Sequence, residues 1–236
     1  MSSGSPFSYT WTPAAPPAAR VSTSRTEILH LSIAFVVLTV DLTILFGGGG
    51  LLTGGGAGFH ALASLAVVGI AAAAALTGFL CHELAHKFYA QRHGFWAEFR
   101  MSPFGLFFSL LTAFFGFLWA APGATVISGM SQIDRPNWGR TSLAGPLSNV
   151  TFAVIFYAGA IATYDLNAWA SSALVLLAWV NAWFATFNLI PVGPLDGAKV
   201  LRWSSQTWVV SILLIGAFTA VLTLVLYGVT TPLLGH

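Results

Sequence analysis

Residues 61–90 read ALASLAVVGIAAAAALTGFLCHELAHKFYA, an apolar run that ends in a cluster of ionisable side chains. The run exceeds the roughly 20 apolar residues that a helix needs to cross a bilayer. His82 and His86 lie four residues apart near its end, so a helix presents both imidazoles on one face. Two such histidines can bind one Zn²⁺, and Glu83 between them stays free as a general base. The stretch therefore predicts a membrane-spanning helix that carries a metal site suited to hydrolysis.

The rest of the chain has the same apolar character. Hydrophobic residues make up 56% and charged residues 7% of the sequence, whereas a soluble domain carries about 25% charged residues. The net charge of +2 rests on few side chains, and it indicates no nucleic-acid partner. Four further segments are long enough to span a bilayer. Together with the first run, the predicted spans are 28–46, 61–90, 143–163, 168–190 and 207–229. We therefore predict an all-α polytopic membrane protein with about five spanning helices.

Two regions fall outside these spans. Residues 1–27 are rich in Ser, Thr, Pro and Ala, and we predict a disordered tail ahead of a transmembrane domain at 28–236 with its core at 61–202. The tail is not predicted to be a secretory signal, because the apolar run behind it is long enough to span and lacks a clear cleavage site. A further apolar stretch, residues 104–121, is shorter and rich in Phe and Gly.

Basic residues predict how the spans are oriented. Lys and Arg occur before the first span, after the second, before the third and between the fourth and fifth, whereas the loops 47–60 and 164–167 contain none. Basic loops stay in the cytoplasm, so the N-terminus and the active site are expected on the cytoplasmic side. This arrangement requires that residues 104–121 enter and leave on one side. We therefore predict that this segment is re-entrant or lies along the membrane surface.

A catalytic zinc site needs a third protein ligand and one position left for water. Five acidic or imidazole side chains lie in or near the membrane segments: Glu27, His30, Asp41, His60 and Asp196. Asp196 is favoured, because it lies next to a span on the predicted cytoplasmic side and within the turn-rich stretch NLIPVGPLDG at 188–197. Pro191 and Pro194 end the fourth helix, so Asp196 can begin the next helical turn, where a carboxylate is favoured.

Polar residues in the third and fourth spans allow two interpretations. Gly145 and Asn149 lie one turn apart, and they could serve close helix packing and an interhelical hydrogen bond. Asn149 could instead hold the substrate backbone or a developing oxyanion. Asn181 and Asn188 share one helix face, and packing is the favoured role for Asn181.

Three ordered motifs carry a family resemblance: HELAH at 82–86, AGPLSN at 144–149 and NLIPVGPLDG at 188–197. Together they resemble the site-2 protease family of intramembrane zinc metalloproteases. The resemblance implies His82, His86 and Asp196 as zinc ligands and Glu83 as the catalytic glutamate. It also implies that Asn149 and Asn188 contribute to substrate or oxyanion binding. The segment 104–121 departs from the compact members of that family.

The resemblance implies cleavage of single-span membrane protein substrates in the lipid bilayer, with one Zn²⁺ per chain. Two alternatives stay open. One is a zinc transporter or zinc-binding membrane protein, although the spans offer no acidic relay apart from Asp41. The other is an inactive homologue that binds helices without cutting them, which the intact Glu83 disfavours. The sequence does not indicate the oligomeric state.

Overall fold

The computed structural model describes residues 21–48, 65–119, 121–128 and 135–230. Its helices are α1 (Arg25–Phe46), α2 (Leu65–Ala75), α3 (Cys81–Arg92), α4 (Pro103–Phe114), α5 (Arg135–Thr163), α6 (Ala168–Asn188), α7 (Asp196–Trp203) and α8 (Ser205–Thr230). Within the described ranges, five helical segments are long and apolar enough to cross a membrane: Arg25–Phe46, Leu65–Arg92, Pro136–Thr163, Ala168–Asn188 and Ser205–Gly228. These segments confirm the predicted set of spans, and the protein is an integral, multi-pass membrane protein.

The first helix begins at Arg25, within the stretch expected to be a disordered tail. Ser24 caps the helix, because its side chain accepts a hydrogen bond from the backbone N–H of Glu27. The Glu27 carboxylate is fully buried, pairs with Lys87 of α3 and accepts a hydrogen bond from the Phe99 N–H at 3.0 Å. The start of α1 is thereby joined to the helix that carries the HELAH motif. Residues 1–20 of the predicted tail lie outside the described residues.

The second span is not a uniform α-helix. A π-helical turn at Leu76–Leu80 separates α2 from α3 and ends one residue short of the HELAH motif. Gly78 lies in this turn, and a Cβ at this position would come within 2.5 Å of the Phe184 ring on α6. The glycine therefore allows α6 to approach closely. Such π turns recur at functional sites because they change the register of side chains along a helix.

The stretch 104–121 belongs to a unit that the sequence analysis did not predict. Strand β1 (Trp96–Met101) precedes α4, and strand β2 (Gly123–Ser128) follows it. The two strands pair antiparallel in a two-stranded sheet, with Trp96 opposite Ser128 and Met101 opposite Gly123. Because the strands run side by side, the segment between them leaves and returns at the same place.

Helix α4 packs lengthwise on α1. The Ser109 hydroxyl donates to the buried Asp41 carboxylate at 2.7 Å, and Asp41 lies roughly 24 Å along the helix axis from the start of α1, at 1.5 Å per residue. The unit β1–α4–β2 therefore extends along a spanning helix and returns to its starting point, and we call it the re-entrant unit below. Its returning backbone is hydrogen-bonded internally, since Thr112 accepts from the N–H groups of Phe117 and Trp119.

The break between α6 and α7 fixes the position of Asp196. Gly193 adopts a φ of +56° between the two prolines of the turn, a conformation that favours glycine. A Cβ on Gly197 would lie 2.0 Å from the Leu189 carbonyl oxygen, so the turn closes tightly on the end of α6. Helix α7 then starts at Asp196 and packs against α5 and α8.

Candidate metal centre and its cavity

Helix α3 brings His82 and His86 together as the spacing predicts. Their Nε2 atoms are 3.0 Å apart, and the two residues are 3% and 7% exposed. The rings meet edge to face, with an interplanar angle of 84°. Two imidazole nitrogens therefore point at one buried position.

Asp196 completes this position from the far side of the chain. Its Oδ2 atom lies 3.3 Å from His82 Nε2 and 3.0 Å from His86 Nε2. Tetrahedral zinc with bonds of about 2.0–2.2 Å separates its ligand atoms by roughly 3.3–3.5 Å. The three donor atoms thus form a triangle close to the size that one face of a zinc tetrahedron requires. Among the described residues, these three form the group of His, Cys, Asp or Glu side chains able to share a metal.

Gly145 of α5 keeps the position clear. A Cβ there would lie 2.4 Å from His86 Nε2 and 2.6 Å from His82 Nε2. Any larger residue would therefore occupy the space that faces both metal-binding nitrogens. The sequence allowed a role for Gly145 in close helix packing, and the structure shows that this glycine makes room for the two imidazoles.

Helix α5 binds each imidazole at its Nδ1 atom, the ring nitrogen that does not face the metal position. His82 Nδ1 lies 2.8 Å from Asn149 Oδ1, and His86 Nδ1 lies 2.7 Å from the Thr141 carbonyl oxygen. An acceptor at each Nδ1 places the proton there and leaves Nε2 free to bind a metal. The Nδ2 atom of Asn149 donates to the Gly78 carbonyl oxygen at 2.9 Å. Both ends of this buried amide are therefore used within the protein, which favours an orienting role for Asn149, and its contact with substrate stays a prediction.

The Asp196 carboxylate is charged in this environment. Burial by itself raises the pKa of this group, but the neighbouring imidazoles and the Lys199 ammonium hold the pKa of Asp196 well below its usual range. Lys199 Nζ donates at 3.1 Å to Oδ1, the carboxylate oxygen that is not the one nearest the histidines. A deprotonated carboxylate beside two imidazoles is the donor set that zinc prefers in catalytic sites.

Glu83 lies beside the metal-ligand triangle and is not part of it. Its Oε2 atom accepts hydrogen bonds from Thr125, at 2.9 Å from the backbone N–H and 2.8 Å from the hydroxyl. Thr125 is in β2, so the re-entrant unit supplies the contacts that hold this carboxylate. An acidic group that is held next to the site, but not directed into it as a ligand, suits the role of a general base.

A cavity of about 290 Å³ joins these groups. One wall is polar and includes the two histidines, Glu83, Asp196 and Lys199. The other wall is apolar and aromatic, and its residues come from α1, the π-helical turn, α6 and the segment that follows α4: Leu38, Phe79, Leu118, Trp183, Phe184 and Phe187. Asn188 also lines the cavity, with its Nδ2 bound to the Phe184 carbonyl oxygen. Such a space suits a peptide segment with apolar side chains, whose polar backbone can face the polar wall.

Strand β2 forms one side of the cavity through Gly123, Ala124, Thr125 and Ile127. Its partner β1 lies on one edge only, and in the described part of the chain no strand pairs with the other edge. The Thr125 N–H points to Glu83 and not to β1, so this N–H belongs to the open edge. The open edge of β2 therefore faces the side of the cavity that carries Glu83.

The other acidic or imidazole candidates for the third ligand lie elsewhere. Glu27 is paired with Lys87, Asp41 is bound by Ser109, and His30 Nδ1 lies 3.4 Å from the Met101 N–H. His60 lies outside the described residues. Asp196 is thus the one described candidate that lies beside both histidines.

Two site residues were missed by the sequence analysis. Thr125 was hidden because the strand GATVIS was not identified, although its β-branched residues between Gly and Ser are typical of strands. Lys199 was considered only for orienting the spans, and its spacing of three residues from Asp196 was the available signal.

Comparisons with known proteins match the chain to a peptidase family and to proteins named as zinc metalloproteases. The sequence profile described as peptidase family M50 matches residues 159–226, a range that contains Asp196 but not the histidines. The chain is 36% identical over 149 residues to a protein of Methanocaldococcus jannaschii named "Putative zinc metalloprotease MJ0611", covering 59% of this chain and 73% of the relative. It is 29% identical over 131 residues to "Putative zinc metalloprotease Rip3" of Mycobacterium tuberculosis, covering 54% of this chain and 28% of that relative. No solved structure matches.

Proposed function

The chain belongs to the M50 family of zinc metallopeptidases, and from that premise we propose that it cuts membrane-spanning helices within or beside the bilayer. The observation that supports this proposal most directly is the placement of the His82, His86 and Asp196 triangle. These residues meet in a buried cavity, and both histidines belong to a membrane-spanning helix. A substrate that reaches this site needs an apolar segment.

His82, His86 and Asp196 would hold one zinc ion. Zinc in such a site supplies Lewis acidity, which lowers the pKa of water to about 7 and polarises a carbonyl group. Asn149 and the Thr141 carbonyl keep each imidazole turned with Nε2 toward the site. Glu83 accepts the proton of the attacking water and delivers it to the leaving amide nitrogen.

The substrate backbone must be extended where it is cut. A peptide bond within a helix is closed off by its own hydrogen bonds and neighbouring side chains. The open edge of β2 offers backbone groups that an extended chain can pair with, the mode of recognition known as strand addition. Apolar substrate side chains would then contact the aromatic wall formed by Trp183, Phe184 and Phe187.

We place the site on the cytoplasmic side of the membrane. The elements that build the site carry basic residues at the same end, among them Lys87, Arg92, Arg140 and Arg202, whereas the loop between α5 and α6 carries Asp165 and no basic residue. Basic segments are retained in the cytoplasm. The proposed substrates are therefore single-span proteins, cut near the cytoplasmic end of their membrane-spanning helix.

The test uses purified full-length protein in detergent, loaded with zinc, and a panel of single-span substrates. We expect cleavage by the unaltered protein and none by Glu83→Gln, because the neutral amide cannot accept a proton. The variant should keep a zinc content equal to that of the unaltered protein, since Glu83 is not a ligand. Zinc binding without cleavage of any substrate would instead support an inactive helix-binding protein. Cleavage that survives Glu83→Gln would refute the assigned base.

A further inference from the structure

The two oxygens of the Asp196 carboxylate have different partners. Oδ2 faces the Nε2 atoms of His82 and His86 at 3.3 and 3.0 Å. Oδ1 accepts a hydrogen bond from Lys199 Nζ at 3.1 Å. The carboxylate is therefore held between the imidazole pair and an ammonium group.

The pair differs from an ordinary surface ion pair. Exposed pairs three residues apart on a helix contribute only about 0.2–0.5 kcal/mol. Here the Asp196 side chain is 7% exposed and the Lys199 side chain 32% exposed, and both residues line the cavity. The ammonium is thus positioned within the site, next to a buried group that the proposed chemistry uses as a ligand.

We propose that Lys199 is a positioning residue that restricts Asp196 to binding the metal through a single oxygen, an inference that rests on the proposed zinc chemistry. A carboxylate can bind zinc through one oxygen or both. Binding through both would fill the position that a catalytic site leaves open for water. Lys199 occupies Oδ1 and fixes the rotation of the carboxylate, as partners behind a metal ligand commonly do.

The test compares metal binding by the full chain in detergent for the unaltered protein, Lys199→Met and Lys199→Arg. We expect the zinc affinity of Lys199→Met to fall about tenfold or more, within the 10–100-fold range typical of such partners. With Co²⁺ in place of zinc, its visible absorption should differ from that of the unaltered protein, because binding through the second carboxylate oxygen changes the donor set of the ion. Lys199→Arg should restore both properties, since a guanidinium also donates to a carboxylate oxygen.

Arg202→Met is the matched control, because it removes one positive charge from the exposed end of the same helix. It should leave the zinc affinity and the Co²⁺ spectrum unchanged. If Lys199→Met fails to fold, as judged by thermal unfolding, Lys199→Ala repeats the comparison. A zinc affinity within threefold of the unaltered protein together with an unchanged Co²⁺ spectrum would overturn the inference.

The experiment also separates this inference from the proposed function. Failure of the unaltered protein to bind zinc or Co²⁺ would overturn both. Metal binding with the expected Lys199 effects, but without cleavage of any single-span substrate, would support the positioning role and refute the protease.

Discussion

Gly145→Ala tests the metal centre with the smallest possible change, the addition of one methyl group on α5. The new Cβ would lie 2.4 Å from His86 Nε2 and 2.6 Å from His82 Nε2, whereas ordinary contact begins at 3.4 Å. A movement of about 1 Å is therefore required, and metal sites tolerate deviations of only about 0.2 Å. Either the imidazoles shift, or α5 shifts and stretches the hydrogen bonds that hold them from behind.

We expect Gly145→Ala to weaken zinc binding on the order of 100-fold or more. This is the upper end of the effects seen when a residue that hydrogen-bonds to a metal ligand is removed. At 1.4 kcal/mol for each factor of ten, this corresponds to about 3 kcal/mol. The assay is a zinc titration against a chelating indicator on apo protein in detergent, with metal content and thermal unfolding measured alongside. Cleavage of a single-span substrate should fall in parallel.

Gly159→Ala is the matched control on the same helix. Its Cβ would meet Leu174 Cδ1 at 3.4 Å, which is ordinary contact, and alanine favours a helix over glycine by about 1 kcal/mol. This variant should keep its zinc affinity and unfold at the same or a higher temperature. The reasoning is wrong if Gly145→Ala keeps a zinc affinity within threefold of the unaltered protein.

Three further predictions concern the base, the buried ion pair and the re-entrant unit. Thr125→Val removes a hydroxyl donor to the base and should lower kcat about tenfold with KM within twofold, whereas Thr125→Ser should restore turnover; an unchanged kcat would exclude this role. Lys87→Met leaves the Glu27 carboxylate buried without its cation, so the free energy of unfolding should drop by about 3–5 kcal/mol, and adding Glu27→Gln should recover part of the loss. Equal unfolding temperatures for all three proteins would contradict that account. Single cysteines at Arg92 and Ser128, in a Cys81→Ser background, should react with an impermeant thiol reagent from the same side of the membrane; labelling from opposite sides would mean that the unit crosses the bilayer.

Several features of the site follow from local pattern. His82 and His86 meet because helical periodicity places residues four apart on one face, whatever else the chain does. The spans could be read from length and hydropathy, since a bilayer demands about 20 apolar residues for each crossing. The structure confirms all five spans, with α5 starting several residues earlier than the apolar pattern indicated.

For the re-entrant unit, the sequence predicted that the chain turns back but did not predict its secondary structure. The basic residues on both sides of residues 104–121 implied that this stretch turns back, and the paired strands show how it does so. The strands themselves were missed because they are short and their stability depends on each other. Strand pairing joins residues far apart in sequence, so a pattern confined to one of them is a weak signal.

The sequence by itself determined the membrane class, the histidine pair and the glutamate between them, because each depends on composition or on the repeat of a single helix. The sequence favoured Asp196 over Glu27 and Asp41 as the third ligand, and only the tertiary structure showed that its carboxylate lies beside both imidazoles. The tertiary structure also decided that Asn149 lies behind His82 and that Thr125 holds Glu83. The Thr125–Glu83 contact joins residues 42 positions apart, and the Asn149–His82 contact joins residues 67 positions apart. Packing between helices and strands brings such residues together, because the conformational preferences of short segments do not act over these separations.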